Sequence, residues 1–171
     1  MNILYLHGLE SKLSDVKRVV LEKFGTVIAP DMDYKSNSEM YDFILETYKN
    51  ESIDCIIGSS MGGVISYYLA MKLNVPALLF NPALPIRSLN QVVPNDLQPK
   101  VNQRFSIVLG SQDETVPAFE NLKYFSENLF QTINYSIKIR PDLAHQIPLE
   151  IFQEECSFFF EEFIKEAKNS Y

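Results

Sequence analysis

The chain is poor in the residues that build metal centres and covalent staples: it has two cysteines, two histidines and no tryptophan. Cys55 sits in an apolar run of strand length and Cys156 in a segment of helical period, so neither belongs to a disulfide framework or a metal-type spacing. Both read as buried thiols. With only His7 and His145, and no Cys-His cluster, no zinc site and no cofactor are expected. No uninterrupted apolar run is long enough to span a bilayer, which needs about 18 or more residues. Positive charge is also scarce: 15 Lys and Arg against 22 Asp and Glu give a net charge of −7, and a sequence pI near 4.8. That balance argues against nucleic acid, whose phosphates require clustered Lys and Arg. The two signs are interspersed, so the acidity reads mainly as solubility. Met1-Asn2 leads straight into Ile3-Leu4-Tyr5-Leu6 without a basic leader or a small-residue cleavage site. No secretion signal is expected there, and a cytoplasmic location follows by default.

What is present suits one globular domain over residues 1–171, with 46% hydrophobic and 22% charged residues. A domain near this size buries about 70% of the surface its unfolded chain exposes. Apolar runs at 2–6, 26–29, 53–57, 77–80, 105–109 and 135–139 have strand length and alternate with helix-period segments. The pattern predicts βαβ units: a mostly parallel sheet of about six strands with helices on both faces, a three-layer α/β sandwich. Val16, Val19, Val20 and Phe24 make one helical stripe, and Met40, Phe43, Ile44 and Tyr48 another. A third helix is predicted from Met61 through Ile65, Leu69 and Leu73, ending before Pro76. Pro117 suits the first turn of a fourth. Phe152, Cys156, Phe159, Phe160, Phe163 and Ile164 give the last helix a wide apolar face. Phe158, Phe159 and Phe160 cannot all point one way, and a core stripe with one partly exposed ring is favoured over a homo-oligomer contact. Tyr67 and Tyr68 read as packing residues. Residues 81–104, with Pro82, Pro85, Pro94 and Pro99, show no periodicity and are expected to form an irregular excursion beside the functional edge of the sheet.

The run Ile53-Asp54-Cys55-Ile56-Ile57 feeds directly into Gly58-Ser59-Ser60-Met61-Gly62. A G-x-S-x-G pentapeptide between a strand and a helix is the spacing of a sharp turn that presents a nucleophilic serine, here Ser60. Gly58 and Gly62 allow a tight turn and close approach of neighbouring backbone. Alone the pattern is weak, since its three fixed positions recur by chance in roughly one chain of this length in twenty. A serine that merely caps the following helix is the bland alternative.

A serine hydroxyl is a poor nucleophile at neutral pH and needs a base, which in turn needs an orienting acid. In α/β-hydrolases the chain order is Ser, Asp or Glu, His. His145 follows Ser60 and His7 precedes it, so His145 is the candidate base. Phe105 to Asp113 supplies a strand, a turn and a carboxylate, making Asp113 the candidate acid, with Glu114 and Asp142 as runners-up. The backbone N–H of Met61, at the start of a helix, and that of Leu9, in the loop after the first strand, are candidate oxyanion donors. Gly8 lets that loop approach the nucleophile. His7 is assigned a supporting hydrogen bond, not a catalytic role.

Leu4-Tyr5-Leu6-His7-Gly8, Ile56 to Gly63, Asn81-Pro82-Ala83, Gly110 to Pro117 and Ala144-His145 together resemble the α/β-hydrolases, and in particular the small, capless YqiA-like bacterial esterases. The resemblance spans nearly the whole chain. It implies a minimal α/β-hydrolase fold without a cap domain or the antiparallel first strands of larger hydrolases, and esterase or thioesterase activity with Ser60, Asp113 and His145 as triad. Pro141-Asp142-Leu143-Ala144 departs from the glycine-containing sequence that often precedes the histidine, and predicts a stiffer loop.

The resulting expectation is a serine hydrolase acting on small acyl esters or thioesters, in a shallow pocket walled by Leu9, the 81–104 segment and residues near Val116. The alternative is a hydrolase-fold binding protein with little turnover. An intact Ser, Asp, His set distinguishes the two, because binding alone has no need of it.

Overall fold

The computed structural model describes residues 1–97, 99–100 and 103–169, with side chains up to residue 162. The strands are β1 (Asn2–Leu6), β2 (Thr26–Ile28), β3 (Cys55–Ser59), β4 (Ala77–Phe80), β5 (Gln103–Gly110) and β6 (Ile133–Arg140). The helices are α1 (Asp15–Glu22), α2 (Met40–Thr47), α3 (Met61–Leu73), α4 (Ala118–Asn128) and α5 (Leu149–Asn169). The six strands form one sheet in the order β2-β1-β3-β4-β5-β6, and every pairing is parallel. All six expected strands are present, with β5 and β6 longer than their apolar cores.

Period-2 alternation sorts the strand side chains between two cores. Leu4, Leu6, Ile56, Leu79, Phe105 and Ile107 pack with residues of α2, α3 and α4. Ile3, Tyr5, Ile57, Leu78, Phe80 and Val108 face the other way, onto α1 and α5. A parallel sheet covered on both faces needs near-continuous apolar strands, which the central four supply.

α3 is buried almost all round: between Met61 and Met71 only Tyr68 reaches partial exposure. It ends at Asn74, in the left-handed conformation at φ 57°, two residues ahead of Pro76. The expected α1 stripe is corrected by the structure. Val16 and Val19 are 56% and 57% exposed, whereas Val20 and Leu21 are buried. The buried side runs instead through Leu13, Lys17, Val20, Leu21 and Phe24, because α5 lies there; the Phe24 ring stacks on Phe160 with centroids 4.3 Å apart. In α2, Phe43 likewise faces outward, and Tyr41 joins Met40 and Ile44 inside. On α5, Phe158 is the exposed ring and Phe159 and Phe160 are buried. Phe163 and Ile164 lie outside the described side chains.

Residues 81–100 contain neither helix nor strand where described, and residues 98, 101 and 102 of this excursion lie outside the description. The segment is nonetheless tied down. Gln91 is buried and donates from Nε2 to Tyr34 O and Asn37 O, and Val92 N–H donates to Ser38 O at 2.8 Å.

The strand order positions the site. From β1 the chain moves outward to β2, then returns across β1 to β3 and proceeds away from it. The segments that follow β1 and β3 therefore leave toward opposite faces, α1 to one and α3 to the other. The crevice this opens at the carboxyl ends of adjacent parallel strands is where open α/β sheets bind ligands.

Candidate active site

Ser60 stands between β3 and α3 with φ 52° and ψ −120°. Positive φ at a non-glycine residue is uncommon, and a residue held in such a region stores about 1–3 kcal/mol of strain. Neighbouring backbone enforces it: Ser60 N–H donates to Phe80 O at 3.0 Å, while Ser60 O accepts Ala83 N–H at 3.0 Å and Val64 N–H at 3.3 Å. Three glycines around it act through lack of bulk, since no glycine has positive φ. A Cβ on Gly62 would strike the carbonyls of Leu6 and His7, and one on Gly8 would come within 3.1 Å of Ser60 Cβ. Gly58 sits in the same way beneath Ser66, on the next turn.

Asp113 and His145, 32 residues apart, meet with His145 Nδ1 2.8 Å from Asp113 Oδ2. Asp113 is 4% exposed, and its other oxygen, Oδ1, accepts the N–H groups of Thr115 and Val116, both at 2.8 Å. Those two bonds hold the carboxylate plane and leave Oδ2 for the imidazole. Of the runners-up, Glu114 is exposed, and Asp142 forms a two-pronged pair with Arg140 at 2.9 and 2.8 Å. Arg140 holds the Asp142 carboxyl below the usual carboxylate range.

His7 is buried and has both ring nitrogens committed. Met32 N–H donates to Nε2 at 3.0 Å, which places the ring proton on Nδ1, 2.7 Å from Gly8 O. Tyr34 Oη donates to His7 O at 2.7 Å, and burial pushes its phenol pKa up, keeping it a neutral donor. This lattice fixes the loop after β1. Neither ring nitrogen of His7 is left for proton transfer.

Gly8, Leu9, Ser59, Ser60, Thr115 and His145 line one cleft of about 520 Å³. Ser88, from the 81–104 excursion, and Thr115, beside the buried Val116, complete the expected walls. Met61 follows Ser60 at the first position of α3, where an N–H has no partner within the helix. The His145 loop is held by Leu143, fully buried, whose carbonyl accepts Gln112 N–H at 3.1 Å. Sequence reasoning gave no role to Asn81, which bonds both the end of β5 and this loop, nor to Lys12 and Lys17, which also line the cleft. Asn81 carried a signal in its position directly after β4. The lysines carried none. Among the described residues no cluster of His, Cys, Asp and Glu is arranged to hold a metal ion, and no helix is long and apolar enough to cross a membrane.

Comparison with known proteins agrees with this architecture. Mouse alpha/beta hydrolase domain-containing protein 10 superposes with a TM-score of 0.67 at 13% identity, covering 97% of this chain and 90% of that one. Est1E from Butyrivibrio proteoclasticus, in a structure with ferulic acid bound, gives 0.64 at 15% identity, with 96% and 89% covered. Esterase PE8 gives 0.62 at 12% identity, with 94% and 91% covered. At these identities the likeness is one of fold. The profile of the Uncharacterised protein family (UPF0227) matches residues 2–115, about two thirds of the chain, including the His7 loop, the Ser60 turn and Asp113. With that match the chain belongs to the UPF0227 family, and its architecture is that of the α/β-hydrolase fold.

Proposed function

We propose that this protein is a serine hydrolase that cleaves carboxylic ester or thioester bonds of small acyl substrates. The observation that carries the reading is the convergence on one cleft of a strained serine and a histidine whose Nδ1 lies 2.8 Å from a buried carboxylate. Asp113 accepts a hydrogen bond from Nδ1–H, which leaves Nε2 of His145 unprotonated as the acceptor. Ser60 Oγ then attacks the acyl carbon as its proton passes to Nε2, and a tetrahedral oxyanion forms. The backbone N–H groups of Met61 and Leu9 are the donors for that charge. Collapse expels the alkoxide or thiolate, which takes the proton from Nε2, and leaves Ser60 acylated. Water, activated by the same nitrogen, hydrolyses the acyl-enzyme and restores the serine. Esters and thioesters are favoured over amides, whose amine leaves poorly without closer positioning. The esterases among proteins of this fold support the same reaction class.

A fluorophosphonate probe tests the reading directly. Stoichiometric modification of Ser60 in folded protein is expected, together with p-nitrophenyl acetate hydrolysis that Ser60→Ala abolishes. Equal rates for wild type and Ser60→Ala would favour a binding protein built on the same fold.

A further inference from the structure

The cleft beside Ser60 is lined on its α1 side by Lys12 and Lys17, in a chain whose net charge is −7. Among the described residues neither lysine is within ion-pair distance of a carboxylate. The cleft's one acidic lining residue, Glu10, is exposed and paired with Lys35. Lys17 is half-buried, and its Nζ donates to Ile147 O at 2.7 Å from 5.2 Å above the Phe152 ring centroid. An ammonium has three protons to donate, and this one carbonyl satisfies one of them. Burial also lowers its pKa, the sign of a cation set where water does not fully solvate it. Ser11, Ser59, Ser88 and Thr115 add hydroxyl groups to the same lining. A half-desolvated cation with spare donors, among hydroxyls and beside a nucleophile, is suited to a negatively charged group rather than to an alkyl chain.

We propose that Lys17 and Lys12 form an anion subsite of this cleft, so that the substrate carries a carboxylate on its acyl or its leaving portion. The proposal rests on the hydrolase reading for the identity of the reaction, while the subsite is a matter of binding alone. Lys17 is the anchor, held by Ile147 and Phe152. Lys12, exposed at the rim, steers and closes the charge.

Paired ester probes test it, with Ser60-dependent hydrolysis measured for each. Mono(4-nitrophenyl) succinate against 4-nitrophenyl butyrate places the charge on the acyl side; 4-butyryloxybenzoate against phenyl butyrate places it on the leaving group. In at least one pair, Lys17→Met is expected to lower kcat/KM for the anionic ester about tenfold more than for the neutral one, mainly through KM. Lys17→Arg should retain the preference, and Lys12→Met, at an exposed position, should show a smaller loss in the same direction. Succinate titrated into Ser60→Ala protein supplies a readout that needs no chemistry, and its binding should weaken when Lys17→Met is added. Hydrolysis in which both pairs respond equally to the lysine variants overturns the anion subsite and leaves the hydrolase standing. Lysine-dependent succinate binding without any Ser60-dependent hydrolysis overturns the hydrolase and leaves the subsite. Absence of both overturns both.

Discussion

Asn81 Nδ2 donates to the carbonyl oxygen of Ala144, 2.9 Å away and 63 residues later in the chain. The same side chain accepts Gly110 N–H through Oδ1 at 2.7 Å, while Asn81 N–H donates to Val108 O at 2.9 Å. A single buried amide thus joins the ends of β4 and β5 to the residue that precedes His145. It sits at φ 42°, a conformation asparagine tolerates better than most residues.

Asn81→Ala is expected to cost about 1–3 kcal/mol, since Gly110 N–H loses its partner in a buried setting and Ala144 O loses its own in a partly buried one. On the hydrolase reading kcat should fall more than KM rises, because the imidazole and not the substrate loses its support. Asn81→Gly accommodates the positive φ and removes the same two bonds, so it separates strain from hydrogen bonding. Urea denaturation and steady-state ester hydrolysis provide both readouts. Unchanged stability and kcat in both variants would deny Asn81 its positioning role.

Asp113→Asn keeps the shape of the side chain, and its carbonyl oxygen can still accept Thr115 and Val116 N–H. Its amide then faces Nδ1 of His145 as a donor, forcing the ring proton onto Nε2, where it can no longer accept from Ser60. A fall in kcat of about 10⁴ is expected, as for the equivalent change in a serine protease triad. The melting temperature should move little. Fluorophosphonate labelling should slow in parallel with hydrolysis.

Arg140→Ala removes a guanidinium shared by Asp142, Glu154 and Glu155. Glu155 is 3% exposed and is then left with Lys138 as its only basic partner among the described residues. A loss of about 2–3 kcal/mol is expected, the size of a charged hydrogen bond removed from a buried acceptor. Arg140→Ala combined with Glu155→Gln should recover part of it, because the buried charge is gone. A double-mutant cycle by chemical denaturation measures the coupling.

Burial pushes the Cys55 thiol up to about 12 from 9.0, and it pushes Cys156 upward as well. The folded state therefore retains thiol protons at pH values where the unfolded state has released them. Stability is unaffected by these groups below about pH 8 and falls as pH rises from about 9 toward 12, by about 1.4 kcal/mol per unit for each thiol. Denaturation curves between pH 8 and 11, compared with a Cys55→Ala, Cys156→Ala variant, should show a shallower alkaline decline in the variant. At pH 8, iodoacetamide should leave both cysteines unmodified until the protein unfolds.

The six strands, the α3 boundary at Pro76 and the elbow at Ser60 were readable from the residues because each depends on neighbours in the chain. Alternating apolar residues, a proline ahead and glycines at fixed offsets act within a few positions. The order of Ser60, Asp113 and His145 was readable for a different reason: parallel strands deliver their carboxyl ends to one edge, so residues just beyond β3, β5 and β6 converge. The outward turn of Val16, Val19 and Phe43 was not readable. Several helix faces are apolar enough to pack, and the position of α5 decides which face of α1 is covered. Asn81 and Lys17 make the same point at the site. Their partners, Ala144 and Ile147, lie 63 and 130 residues away, and contacts at that separation exist only after the sheet has brought distant loops to one edge. Local pattern placed Ser60 on its turn; tertiary packing chose the groups that hold Asp113 and His145 and the lysines that share their cleft.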